Sequence, residues 1–357
     1  MYFNKSDLSW RISQCCQFHN ATLAKKYNLG TTTKTTALTP VGKAKVQSKA
    51  LDNCSKLIKI LSEYFSKQPK NLRCFRISSE LFPCYTLDFV SPWYEEIMPK
   101  IKELMKEAGR IAKENEIRLS VHPGQFTVLA SDKKDVVMNS IKDVEYHALY
   151  GILMELPPED FVVNIHLQGL YGGKHSDGIK RFANSFNELS DYAKLCLAVE
   201  HEDKPNGYDI KHTLDLASII PTRCTLDTHH YMCHRMTQNE KVKVNNKVVN
   251  RKIRDVEPLT ISNKYFKEAV KTWGKVRPLF HKSQSFPLEN LDYWMKPAAH
   301  SDIYHDECLM ATVVPMLEYA DFEVEAKNKE IAVQHFYKFI NEEIDYAGEP
   351  LVCKSYV

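Results

Sequence analysis

Eight short runs rich in β-branched and aromatic residues recur along the chain, and stretches with helical periodicity separate them. The runs fall at 8–12, 72–77, 117–121, 161–165, 195–199, 223–226, 276–280 and 321–324. A repeated strand and helix builds a parallel sheet, because each strand needs a crossover to return to the same end. Eight such units close a (β/α)8 TIM barrel, a fold of about 250 residues that tolerates insertions. The 357 residues suffice for one barrel as a single catalytic domain. Helical patterns fill the gaps at 46–65, 93–115, 135–156, 177–194, 210–220, 263–273, 307–320 and 330–346, with cap-like residues at Ser176-Asp177 and Asn206-Gly207. One interval, 241–257, breaks the rhythm with six Lys/Arg residues and reads as an inserted loop or hairpin.

Composition narrows the class. At 43% hydrophobic and 26% charged residues the chain is of the globular type. It has no run approaching the ~20 apolar residues of a membrane span. Its start, MYFNKSDLSWRIS, lacks a signal peptide's layout, so an intracellular setting, cytoplasm or nucleus, is expected. The ten cysteines form no CxxC pair, and Cys74, Cys196 and Cys224 sit in apolar runs, which suits reduced core thiols. A net charge of +3 is too small to argue for a polyanionic partner without local clusters.

The chemistry lies where the strands stop. Val121 is followed by His122, Ile165 by His166, Val199 by Glu200, Leu226 by Asp227, Phe280 by His281 and Val324 by Glu325. Strand C-terminal ends converge on one mouth of a barrel, so these six side chains are expected to share a centre. A single histidine there is more often structural, and a single carboxylate more often a cap or half of an ion pair. Six coincidences outweigh that reading, because clustered carboxylates are costly to bury without a cation. His230, three residues after Asp227, and His300 in PAAHSD extend the set. His201, His229, His234 and His305 compete with them, and His229 is expected to turn away from the mouth. Imidazoles mixed with carboxylates suit two divalent ions, which activate water and stabilise the leaving oxygen in phosphodiester hydrolysis.

In order and combination, NLGTTTKTT, FRISSELFP, VHPGQF, NIHLQGLYGGK, AVEHED, LDTHHY, RPLFHKSQ and EVEAK resemble the UV damage endonucleases, relatives of endonuclease IV-type abasic-site nucleases, from about Leu29 to Lys327. The resemblance implies a DNA repair endonuclease that cuts duplex DNA immediately 5′ to UV photoproducts (cyclobutane dimers, 6-4 photoproducts), with abasic sites as further substrates. It places His122 and His166 on one ion with Glu200 bridging. Asp227, His281 and Glu325 then surround a second ion, and His230 and His300 serve a third. Glu200, Asp227, Glu325 and His230 are the expected catalytic residues, and Gln125 and Phe126 match the pair that enters the duplex.

Two positions depart from the pattern. Leu279 stands where the family commonly has a lysine at the metal site, and Glu80 where some members have a histidine. Mn is the first choice of metal, with Zn or Mg as alternatives, because the set lacks thiolates. Arg76, Lys174, Lys282 and the basic stretch 241–254 are the candidate phosphate contacts. A monomer acting on damaged double-stranded DNA is expected, with no membrane partner. The alternatives are a plain abasic-site endonuclease, a two-metal barrel sugar isomerase and a catalytically dead lesion binder.

Overall fold

The computed structural model describes residues 10–204, 206–236, 239–244, 247–252, 257–285 and 298–345. Eight strands form one parallel sheet: β1 (Ile12–Cys15), β2 (Cys74–Ile77), β3 (Arg118–Val121), β4 (Phe161–His166), β5 (Leu197–Glu200), β6 (Arg223–Thr225), β9 (Leu279–Lys282) and β10 (Asp321–Val324). Their order is β6-β5-β4-β3-β2-β1-β10-β9, and a parallel bridge between Asp227 and His281 brings the two ends together, giving the expected barrel. Strands β7 (Asn239–Val244) and β8 (Lys247–Lys252) pair antiparallel as a hairpin, the form expected for the insertion, whose residues 245–246 and 253–256 lie outside the described set.

Several boundaries moved for identifiable reasons. The first strand begins at Ile12, whereas the run was expected at 8–12, of which residues 8–9 are not described. The run expected at 195–199 starts at Leu197, because Asp191–Cys196 is a helix capped by Ser190 that leaves Leu195 59% exposed. The run expected at 276–280 shifts to Leu279–Lys282, which puts His281 inside the strand. The helix expected at 177–194 divides into His175–Asn187 and Asp191–Cys196, and Lys174, not Ser176, is the residue at its start. Asp209, rather than Asn206-Gly207, caps Ile210–Ala217, through a reciprocal bond with His212. Cys74, Cys196 and Cys224 are buried free thiols as expected. Among the described residues no helix is long and apolar enough to cross a membrane.

The seam between β6 and β9 closes at the mouth alone. There His281 N–H donates to Leu226 C=O at 2.9 Å. Toward the other end the edge of β6 is capped from outside: Thr272 Oγ1 accepts from Cys224 N–H at 2.9 Å, and Trp273 Nε1 donates to Cys224 C=O at 2.8 Å. Trp273 is buried against Phe280 and fills the divergence. Trp273→Ala is therefore expected to cost about 3–5 kcal/mol of stability as a buried aromatic deletion, whereas Trp273→Phe, losing chiefly one hydrogen bond, costs roughly 1 kcal/mol. Urea unfolding of the two variants reads the difference, and equal losses would count against the hydrogen-bonded plug.

Candidate metal centre

Glu200, the last residue of β5, is fully buried and organises the mouth. Its Oε2 lies 3.2 Å from His122 Nε2, 3.0 Å from His281 Nδ1 and 3.9 Å from His166 Nε2. Its Oε1 lies 3.1 Å from His230 Nδ1, and Asn164 Nδ2, from the neighbouring strand, donates to Oε2 at 2.6 Å. Burial alone would raise the carboxyl's pKa, but the surrounding His281 and His166 overcome it and hold Glu200 well below the usual range. Asp227, also fully buried, accepts on Oδ1 from the backbone N–H groups of His229 at 2.6 Å and His230 at 3.0 Å. That helix start fixes the carboxylate and leaves Oδ2 aimed inward.

Three clusters of potential ligand atoms, each within 4.8 Å, converge here: His122–His166–Glu200, His122–His281–Glu325 and Glu200–Asp227–His230. The grouping differs from the expected one, which set Asp227, His281 and Glu325 around a single ion. His122 and Glu200 each belong to two clusters. Glu200 Oε1 and His281 Nδ1 have ionic neighbours at about 3 Å, but Asp227 Oδ2 is buried with no hydrogen-bond partner, with His230 Nε2 at 3.9 Å. Buried polar atoms are normally satisfied, so an orphaned carboxylate oxygen among these ligand atoms fits a bound cation. His300 Nδ1 stands 3.9 Å from Glu325, and its ring centre lies 6.4 Å from that of His230. Among the described residues it joins no such cluster. Leu279, at the level of Asp321 and two positions below His281, is buried in the core.

The structure adds residues that strand ends did not reveal. Glu323, one turn of the pleat below Glu325, faces into the barrel and sits 3.1 Å from His281 Nε2. Burial would raise its pKa, yet Arg76 and His281 hold it down at about 2. A carboxylate on Nε2 fixes the His281 ring with Nδ1 toward Glu200 and Glu325. Arg76 is buried between Glu323 and Glu325, 2.6 Å from Glu325 Oε1 and 3.2 Å from His281 Nε2. It is an internal ion-pair residue and not the surface phosphate contact expected. Lys282 is also buried, which depresses its ammonium to about 8, and it lies over the Tyr304 ring, so the same correction applies. Both had looked like cations beside the mouth because sequence does not show which way a strand-end side chain points.

His201 orients the site indirectly: Asp227 N–H donates to its Nε2, and its C=O accepts from His230 Nδ1. His229, expected to face away, is buried with its ring centre 5.7 Å from that of His300. His234 donates from Nδ1 to Lys204 C=O, and the His305 N–H donates to Gln284. Glu80 is half-buried and belongs to none of the clusters among the described residues.

The loop after β3 carries Gln125 and Phe126, both exposed, with Phe126 at 85%. A large apolar ring is normally covered, and here the backbone beneath it is held rigid. Buried Gln168, from the loop after β4, donates from Nε2 to Gln125 C=O at 2.7 Å and to Thr127 C=O at 3.3 Å. Ser140 Oγ accepts from Val128 N–H, Ser185 Oγ donates to Leu129 C=O and Arg181 Nε to Ala130 C=O. Tyr171, half exposed at a positive φ of 51°, donates to Ser131 Oγ from the same side. Lys174 is exposed at the start of the following helix.

Two outcomes test the centre as a cation site. Burial opposes the charged form of His281, but Glu200 and Glu325 lift it to about 10, and Asp227 and Glu200 likewise raise His230. Both rings therefore keep a proton at neutral pH without metal, and a ligating imidazole must lose it. Divalent-ion binding is expected to release protons and to strengthen as pH rises toward 10. Calorimetry in buffers of different ionisation heat measures this, and release of no net protons would contradict the arrangement. Removing the carboxylate behind His281 with Glu323→Gln is expected to weaken metal binding about 10–100-fold, read by metal content after dialysis.

The comparisons place this geometry among known proteins. A family model described as UV-endonuclease UvdE matches residues 14–355. A UV-damage endonuclease of Neurospora crassa is 34% identical over 189 residues, 52% of this chain and 27% of that protein. A UV DNA damage endonuclease of Clostridium perfringens is 31% identical over 166 residues, 46% of this chain and 38% of that protein. The matched regions thus span less than half the length of these two relatives. Among solved structures, SacUVDE superposes with a TM-score of 0.72 at 22% identity, covering 95% of this chain and 100% of that one. Endonuclease IV from Thermus thermophilus gives 0.51 at 11% identity, covering 93% and 99%. Both likenesses speak to the barrel fold, and the family match over nearly the whole sequence establishes that the chain belongs to the UV-endonuclease UvdE family.

Proposed function

We propose that the chain is a metal-dependent endodeoxyribonuclease, one catalytic domain that cuts a DNA strand immediately 5′ to UV photoproducts: cyclobutane pyrimidine dimers, 6-4 photoproducts and also abasic sites. The observation that carries the reading is the pairing of a buried His/carboxylate cluster with an exposed, rigidly mounted Phe126 four residues beyond His122. A sugar isomerase has no use for such a ring at the rim. An aromatic wedge replaces a lost base stack, and duplex opening costs least where damage has already weakened stacking.

The ligands proposed are His122, His166 and Glu200 for one ion and His281 and Glu325, beside His122, for a second, with Asp227 and His230 grouped against Glu200 where a third would sit. His300 serves a third ion if one binds, since Leu279 offers no donor there. When bound, divalent ions, Mn first and Zn or Mg as alternatives, would activate water and neutralise charge on the leaving 3′-oxygen. Glu200, Asp227, Glu325 and His230 lie closest to the phosphate being cut. Asn164, His201 and Glu323 hold those groups in place, and burial beneath the mouth keeps bulk water from screening them. Gln125 offers amide hydrogen bonds to a base left without its partner, and Lys174 contacts a backbone phosphate. Such an enzyme works on damaged duplex DNA as a monomer, in the cytoplasm or nucleus.

The direct test is an oligonucleotide duplex with one cyclobutane dimer, incubated with Mn or with chelator. Nicking 5′ to the dimer that chelator abolishes is expected, and tight binding without nicking would overturn the reading in favour of a lesion binder. A stacked base contributes about 1–3 kcal/mol, so Phe126→Ala is expected to lower dimer nicking roughly 5- to 150-fold with metal content unchanged. Gln168→Ala should lose part of the same factor by loosening the loop. Normal cutting by both variants would remove the wedge.

A further inference from the structure

At the end of the barrel opposite the mouth lies a recess of about 770 Å³. Six cationic side chains and four carboxylates line it. Of the carboxylates, Asp321 is fully buried, Glu116 pairs with Lys70, and Glu159 and Asp160 are exposed at the rim. Asp321 serves three guanidiniums. Arg118 reaches Oδ2 at 2.6 Å, Arg277 Nε reaches Oδ1 at 2.7 Å, and Arg11 Nη1 stands 3.9 Å from Oδ2.

A structural role accounts for part of this set. Arg118 also donates to Pro278 and Arg277 carbonyls, and Arg277 to those of Leu317 and Ala320, so these two tie strand starts together. It does not account for Arg223 or for the second face of Arg11. Arg223 Nη1 and Arg11 Nε are buried without an acceptor. Arg223 forms no ion pair among the described residues and lies over Trp273, 5.4 Å from the ring centre, while Arg118 lies 6.0 Å from the same ring. An arginine cannot shed its proton to escape burial. Water in the recess would solvate the open sides of these guanidiniums but would leave the positive excess uncompensated, and the two guanidiniums on one indole repel each other. What fits is an anion with several acceptor oxygens, since guanidinium forks match phosphate geometry. The aromatic backing keeps Arg223 in place without supplying an acceptor of its own.

We propose that this recess binds a small phosphate-bearing anion, held by Arg223 and Arg11 and excluded from the mouth by the full depth of the barrel. Arg223, which lines the recess with no ion pair among the described residues, and the room in front of it carry the assignment. It is independent of the nuclease reading, because no residue of the mouth takes part.

Inorganic phosphate is the probe, titrated calorimetrically into the metal-loaded chain at constant ionic strength. Phosphate also has affinity for a metal centre, so Glu200→Gln is titrated beside the wild type. Arg223→Met keeps the length and the contact with Trp273 but removes the charge, and Arg223→Lys keeps the charge without the fork. A saturable binding event is expected that survives Glu200→Gln, weakens at least tenfold in Arg223→Met and is partly restored in Arg223→Lys. Nicking of irradiated DNA by Arg223→Met should match the wild type, and its circular dichroism and urea midpoint report that it folds. Phosphate binding by Arg223→Met equal to that of the wild type, or loss of all binding in Glu200→Gln, overturns the site.

Discussion

A carboxylate without access to water, ringed by four imidazoles, sets the terms for the mouth of this barrel. Glu200 cannot be stable there as an isolated anion, since the desolvation penalty is several kcal/mol per ion even after relaxation. His122, His166, His230 and His281 all lie within 4 Å of its oxygens. Three of these are aimed in turn: His281 by Glu323, His230 by the His201 carbonyl, His122 by the Pro123 carbonyl. Without a cation two of these imidazoles, His281 and His230, take up protons to balance the charge and titrate upward while Glu200 titrates downward, whereas burial pushes His166 down to about 3. The centre is thus a place where protons would compete with any divalent ion for the same electrons.

That demand propagates into the barrel. Arg76, on β2, spans the interior to neutralise Glu323 on β10 and Glu325 just beyond it, so a guanidinium fills space that side chains of branched aliphatic residues usually occupy in such cores. Ser120 on β3 completes the group by donating to Glu323. The layer beneath the mouth is polar and hydrogen-bonded, whereas the packing between sheet and helices is apolar.

Much of this was legible in the sequence. Alternation of β-type runs and helical periods announced the barrel, because the two periods differ and eight repeats have one closed solution. The strand-end residues announced the mouth, because in a parallel barrel sequence position at the end of a strand translates directly into a place in space. Direction was harder to read. Arg76 points into the barrel, whereas Lys282, one residue past the inward-facing His281, packs on the other face over Tyr304, since a one-residue step inverts a side chain. Glu323 lies two residues before Glu325 and inside the strand, where a reading of strand ends alone does not reach, although the alternation of DFEV puts it on the same face as Glu325. His229 lies in the helix that begins at Thr228, where consecutive residues diverge by about 100°, so its ring meets Cys233 and joins none of the clusters that hold His230 among the described residues. The closed-end arginines carried no signal at all, being scattered over segments far apart in the chain.

The seam has a consequence for the protein before it ever meets a substrate. Strands β6 and β9 touch through Leu226, Asp227 and His281, and two of those three residues face the centre. The barrel is therefore buttoned at its mouth by residues of the candidate centre, while its lower edge leans on a tryptophan. The same backbone contact that joins the two ends of the sheet also sets the spacing of Asp227 and His281, so the closure of this barrel and the shape of its centre cannot vary independently.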